Sequence, residues 1–577
     1  MRNCMSSKPS LRPPFRYAEA KITTMNIRFH LFFSALFIAL LLSGCAQYAS
    51  VSERRPQFRP VRSVASTLVS VEQSIATALR KEPREPMAAL AEYLSAAQTA
   101  ARELDRNPSD TAARDDYNFA VARVLGTIKQ AKLDPWTRPL RVPASGGGFL
   151  LAAKRDPRPQ WNPSLYTFVP ADQFDVKGKY VAERSVKVGI GAPLVAIGRD
   201  KNRNIKENFG LPRTFYGVTA VLRFEGRRAV LSLEDPLSTE RIRFGARNLP
   251  LAADFTVPLA VMLASANPKM HELPRLLRPE KFEETARITR LQPYDPDKTV
   301  VLVIHGLMDS PATWTPMINA LRGDERIRRT CQFWIYSYPS GYPYPYSASI
   351  LRSELDAIEK KFPLKKPMVV IGHSMGGCIA RLLITDTGDK VWMRIFKKAP
   401  EKTLLLPESK QLLTEALIFR HRPEVGRVIF ISSPLRGSDI ARNPLGRVGS
   451  MLVKAPGNLL HASQDMLKIT TFQSDELKLK RMPNSVDTLA PNNRFVKAIN
   501  TVPVAPGIPY HVICGDRGLG GNKDRTKPVC SDGVVPYWSS HMPGALSELI
   551  VPSDHGAHQN PQAIAEVKSI LRLQSAQ

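Results

Sequence analysis

Apolar and polar positions along this chain fall into three successive regimes. Through residues 66–130 apolar side chains recur at every third or fourth place. Met87-Ala88-Ala89-Leu90-Ala91-Glu92-Tyr93-Leu94 and Tyr117-Asn118-Phe119-Ala120-Val121-Ala122-Arg123-Val124-Leu125 are the clearest runs. That spacing lines one helical face with apolar groups. Asn107-Pro108-Ser109-Asp110 between them supplies a breaker and an N-cap, so the stretch predicts a helical spacer packed on the next domain. From about 140 to 265 the runs become short and strand-like: Tyr180-Val181-Ala182, Val186 to Ile190, Val218 to Phe224 and Ala229 to Leu233. Turn or charged residues bound most of them, which predicts a small β-rich domain. From about 291 onward, apolar strands alternate with helical segments. The strands are Thr299 to Ile304, Phe333 to Tyr336, Met368 to Ile371, Val428 to Ile431, Tyr510 to Cys514 and Leu549 to Val551. Alternation of that kind predicts an α/β fold, a mainly parallel sheet with helices on both faces.

One apolar run stands apart. Leu31 to Leu42 follows Arg28, contains a single serine, and ends in Leu42-Ser43-Gly44-Cys45. A bilayer span needs about 20 apolar residues, and this run has the length of a signal-peptide core instead. Its end resembles a bacterial lipobox, which implies lipidation of Cys45 and anchorage of the chain to a membrane. Ala46 stands where an aspartate often retains such proteins at the inner membrane, so the expected place is the outer membrane of a cell envelope. The expected organisation is a leader and signal peptide over 1–45, a basic, Pro-containing tether over 46–65, a helical segment over 66–135, a β-rich domain over 136–290 and an α/β domain over 291–577.

Composition changes this picture little. A chain of 577 residues with 43% hydrophobic and 23% charged residues is a folded, multi-domain protein. The formal net charge of +29 raises the question of nucleic acid. The excess is spread along the chain, and no zinc-finger spacing, RNA-binding aromatic signature or basic heptad helix accompanies it. Attraction to an anionic membrane or to acidic substrates accounts for diffuse positive charge equally well, and no nucleic-acid partner is expected. Six cysteines include Cys4 and Cys45. Of the other four, Cys514 and Cys530 flank a Gly-rich loop that a bridge could close in an oxidising compartment; four buried, reduced thiols are the equal alternative. No cysteine–histidine cluster has metal-ligand spacing, and no cofactor is expected.

The chemistry centres on Val369-Val370-Ile371-Gly372-His373-Ser374-Met375-Gly376-Gly377. It fits G-x-S-x-G, with a β-branched strand before it and a helical run, Cys378 to Leu383, after it. A serine on such a sharp turn needs glycines on either side so that nothing blocks the close approach. An acid and a base must then come later in the chain, in that order. Ser531-Asp532-Gly533-Val534-Val535-Pro536 offers Asp532, with Asp516 its main competitor. The strand Leu549-Ile550-Val551 runs into Pro552-Ser553-Asp554-His555, which offers His555, with His558 and His541 as competitors.

With these motifs, residues 291–577 resemble bacterial lipoprotein esterases and triacylglycerol lipases of the α/β-hydrolase superfamily. Val301-Leu302-Val303-Ile304-His305-Gly306-Leu307 is similar to the oxyanion-loop segment of lipases, and there His305 has a packing role. Ser432-Ser433-Pro434-Leu435-Arg436-Gly437-Ser438 is similar to a T-P-x-R-G-S stretch after the nucleophile helix, with serine in place of threonine. The resemblance implies a catalytic triad of Ser374, Asp532 and His555, with oxyanion donors at the main-chain N–H groups of Leu307 and Met375. The implied reaction is hydrolysis of carboxylic esters, lipid-like ones in particular, through an acyl-enzyme. Thioesterases and acyltransferases share these residues, and an envelope scaffold with a silent hydrolase domain is the reading from another class. The insertions at 386–426 and 441–480 mix apolar stretches with many Lys and Arg, as a lid, an acyl-chain pocket or a plain surface insertion would.

Overall fold

A computed structural model of the protein describes residues 48–60, 66–144, 147–154, 161–199, 209, 213–266, 269–438, 484–518 and 531–574. The signal-like run, Cys45, the 441–480 insertion and Cys530 lie outside the described residues. Among those described, no helix is long and apolar enough to cross a membrane.

The helical regime resolves into three helices: α1 (Ser66–Lys81), α2 (Pro86–Arg106) and α3 (Thr111–Gln130). Asp110 caps α3 by accepting from the Ala113 N–H at 2.9 Å, a contact that satisfies one orphan donor of the first turn. These helices share one core with a six-stranded sheet. Its strands are β1 (Leu140–Val142), β2 (Phe149–Ala153), β3 (Tyr166–Pro170), β4 (Ala192–Gly198), β5 (Phe215–Glu225) and β6 (Arg228–Glu234), in the order β1-β2-β6-β5-β4-β3. Tyr117 of α3 is fully buried, and its hydroxyl both donates to Leu222 O and accepts from Leu222 N.

Two expectations for this region change. Tyr180 and Val181 lie in a 3₁₀ turn, Lys179–Val181, not a strand. Gly178 enters that turn at φ 137, a conformation that breaks an extended run. Of the next run, Val186–Lys187 pairs with Ala253 and Asp254 as a two-residue strand, and Ile190 makes a single bridge to Leu251. A helix that the periodicity does not announce, α4 (Thr256–Ala266), closes the region. It is apolar on nearly all sides and largely buried, so the period that reveals an amphipathic helix is missing.

The second sheet carries the site. It comprises β7 (Arg287–Arg290), β8 (Thr299–Ile304), β9 (Cys331–Ser337), β10 (Met368–His373), β11 (Val425–Ile431), β12 (Tyr510–Asp516) and β13 (Ser547–Pro552), in the order β7-β9-β8-β10-β11-β12-β13. All pairs are parallel except β7 with β9. Alternate residues feed opposite cores. Leu302, Val370 and Phe430 pack against α5 (Tyr344–Lys361) and α6 (Met375–Arg381), while Val301, Ile371 and Ile429 face α7 (Pro561–Gln574). Burial on both faces is why these strands read as unbroken apolar runs. This strand order, with helices on both faces, is the α/β-hydrolase fold.

The two halves are joined by polar contacts. Glu240 receives Arg328 through both guanidinium ends at 2.8 and 2.7 Å, and Lys187 at 2.5 Å. Asn319 donates to Glu183 O at 2.9 Å, and Lys298 donates to Leu237 O at 2.6 Å.

Candidate active site

Four loops at the carboxyl ends of the parallel strands meet at Ser374. The turn between β10 and α6 puts Ser374 at φ 53, ψ −127, a region costly for any residue with a side chain. Three glycines permit it. A Cβ on Gly372 would lie 2.5 Å from Gly376 O, one on Gly376 2.3 Å from Ile304 O, and one on Gly377 1.8 Å from Ser433 Oγ. The last contact shows what Ser432 to Ser438 does: it packs directly beneath the turn. The Ser374 N–H donates to Ile431 O at 2.9 Å and pins the turn to β11.

His555 comes just after β13, and its ring lies between two partners. Nε2 is 2.8 Å from Ser374 Oγ, and Nδ1 is 2.8 Å from Asp532 Oδ2. Asp532 is 1% exposed. Its other oxygen accepts from the Val534 and Val535 N–H groups at 2.8 and 2.7 Å. Burial opposes its charge, but His555 and these two amides outweigh burial and hold the carboxyl below its usual range. Ser438 Oγ donates to Val534 O at 2.6 Å and props the same turn.

The competitors are placed elsewhere. Asp516 accepts from Gly518 N at 2.9 Å and orders its own turn. His541 bonds Glu548 at 2.7 Å and Tyr537 at 3.1 Å. His305 is fully buried and stacked on Tyr338, ring centres 4.3 Å apart, with burial pushing its pKa down to about 4. Leu307 lies on the loop after β8. Gly306 before it touches the serine: a Cβ there would sit 2.8 Å from Ser374 Cβ. Met375 opens α6. A cleft of about 470 Å³ reaches His555, and Lys179 of the N-terminal half and Arg517 stand on its wall.

Sequence reasoning misses Asp309 and His373. With His558 they bring three ligand-type atoms within 4.8 Å of one another. The rings of His373 and His558, however, lie 3.9 Å apart and only 36° from parallel. Two imidazoles on one ion, at about 2.1 Å per bond, hold their centres about 5 Å apart. The trio therefore fits a metal poorly. Spacing gives no sign of it, because the three residues come from separate loops.

Residues 300–567 match the family model described as the alpha/beta hydrolase family. Among solved structures, the mature form of a Bacillus licheniformis lipase is similar at 15% identity, with a TM-score of 0.30 over 50% of this chain and 98% of that one. A metagenomic carboxyl esterase is similar at 13% identity and a TM-score of 0.28, over 50% of this chain and 78% of that one. The thioesterase domain of a curacin biosynthetic pathway is similar at 13% identity and 0.23, over 48% and 92%. No curated protein matches the sequence.

Proposed function

We propose that the α/β-hydrolase domain is a serine hydrolase of carboxylic esters, with Ser374 as nucleophile, His555 as base and Asp532 as the residue that orients the base. One observation carries the reading: the unbroken chain Asp532–His555–Ser374, with both links at 2.8 Å, ends on a serine held at positive φ.

Ser374 Oγ attacks the acyl carbonyl while His555 Nε2 takes its proton. Asp532 keeps the other ring proton on Nδ1 and stabilises the imidazolium as it forms. The N–H groups of Leu307 and Met375 receive the oxyanion. His555 protonates the departing alcohol, then deprotonates a water that releases the acid and restores Ser374. The substrate in this reading is a hydrophobic, lipid-like ester. Leu404 and Leu406 in the 386–426 insertion are 81% and 59% exposed, and the exposed Lys397, Lys398 and Lys402 precede them closely in sequence, a combination suited to an anionic lipid surface. Lipidation of Cys45 would hold the enzyme at such a surface, in the outer membrane, and incorporation of labelled fatty acid that Cys45→Ser abolishes is its test.

Hydrolysis of p-nitrophenyl esters from acetyl to palmitoyl tests the main reading. Wild-type protein is expected to turn over and to label with a fluorophosphonate, and Ser374→Ala to do neither. Intact folded protein with no turnover and no label would overturn it and bring the scaffold reading forward.

A further inference from the structure

We propose that Asp309 and His373 are positioning residues forming a second support for His555, one that acts on its main chain rather than its ring. The inference rests on the role of His555 proposed above.

His555 sits on a loop, with its ring held from both sides. Its backbone is held from behind. The Nε2 of His373 lies 2.7 Å from the carbonyl oxygen of His555, so that nitrogen carries a proton and donates it. His373 Nδ1 then faces Asp309 Oδ2 at 3.6 Å. Asp309 is fixed in turn: Thr313 Oγ1 donates to Oδ2 at 3.0 Å and Ser310 N to Oδ1 at 2.7 Å. His558 packs on the His373 ring at 3.9 Å, and Trp314 lies 5.0 Å behind His558. These contacts hold the His373 ring in the orientation that aims Nε2 at the His555 carbonyl.

The consequence lies in which loops are joined. Asp309 belongs to the loop that carries Leu307, His373 is the residue before Ser374, and the bond ends on His555. One short chain of contacts ties the oxyanion loop, the nucleophile turn and the base to one another. His373 Nδ1 and His558 Nδ1 have no hydrogen-bond partner among the described residues, and a buried polar atom in that state is costly. Asp309 is held well below the usual carboxylate range: burial opposes its charge, and the His373 contact and the surrounding imidazoles outweigh burial. The N-terminal half closes the region from outside. Tyr48 donates to Glu272 at 2.7 Å, and Ser310 donates to the same carboxylate at 2.8 Å.

The test compares Asp309→Asn, Asp309→Glu, His373→Leu and His373→Gln in the full chain, with thermal midpoints recorded to establish that each folds. His373→Gln keeps a side-chain N–H for the His555 carbonyl. Two readouts are needed. In ester turnover, Asp309→Asn and His373→Leu are expected to lower kcat by about 10²-fold with KM nearly unchanged, the size expected when a catalytic group is misplaced by about 1 Å. Asp309→Glu and His373→Gln should recover part of the loss. The second readout needs no substrate: the low-field proton signal of His555 Nδ1–H against Asp532, in protein labelled with 15N-histidine. It should shift or broaden in the two disruptive variants and return toward wild type in His373→Gln. Folded variants with unchanged kcat and an unchanged signal would overturn the proposal. A wild-type protein without turnover would sink the hydrolase reading instead, and the proton signal would still decide this one.

Discussion

A single methyl group at Gly306 tests whether the loop after β8 is pressed against the nucleophile. In Gly306→Ala the new Cβ would stand 2.8 Å from Ser374 Cβ, 3.3 Å from His373 Nδ1 and 3.4 Å from His373 O. Carbon atoms settle at about 3.5–4.0 Å, so the loop and the turn must part by about 0.7 Å. The turn has little room to retreat: Gly376 is already packed against Ile304 O and His305 O, and the Ser374 N–H is tied to Ile431 O. The strain therefore falls on the relation between Ser374 and the oxyanion donor proposed at Leu307, just past Gly306. A displacement approaching 1 Å costs about 10²-fold in rate, while buried apolar area is unchanged and stability should fall only modestly. The assay is kcat/KM on a short p-nitrophenyl ester, with the rate of fluorophosphonate labelling beside it and a thermal midpoint as control. A folded variant whose kcat/KM stays within about threefold of wild type, under 1 kcal/mol of barrier, would refute the apposition.

Two further predictions concern stability. Phe430 is fully buried in the core above the sheet, and Phe430→Ala should destabilise the hydrolase domain by about 3–5 kcal/mol; a urea transition moved by less than about 1 kcal/mol would contradict that packing. His305 is kept neutral by burial, its pKa pushed down from 6.5 to about 4. Between those values the unfolded chain binds a proton that the folded ring refuses, so this residue's contribution is complete above pH 6.5 and drains away as the pH falls to about 4. The span is worth about 3 kcal/mol. His305→Gln should flatten the stability–pH curve in that window, and parallel curves for variant and wild type would count against the assignment.

How much of the fold could be read depended on the side of the sheet a residue faces. The six apolar runs after residue 291 are strands because Val301, Ile371 and Phe430 all find a covered face, and continuous apolar runs bounded by turns have few other uses. The N-terminal half was harder for the opposite reason. Helix α4 is apolar all round, so its period is hidden, and Tyr180 and Val181 are buried by a turn at Gly178 that only tertiary packing requires. The third helix, α1, belongs with α2 and α3 through a core they share with the sheet, which a single helical pattern does not announce.

The site divides along the same line. Ser374 was legible because a strained turn imposes glycines at fixed offsets: 372, 376 and 377 each stand where a Cβ would strike a neighbour. Asp532 and His555 were legible from their order and from the strands that deliver them. Asp309 and His373 were not, although His373 lies inside the nucleophile motif and Asp309 just past the oxyanion loop. Their partners are 64 and 182 residues away, counted from Asp309 to His373 and from His373 to His555, and no local pattern encodes such contacts. Sequence motifs record what the backbone demands of a residue's neighbours. They are silent on what holds a loop from behind, and here the residue next to the nucleophile, at its side of Gly306, provides that hold.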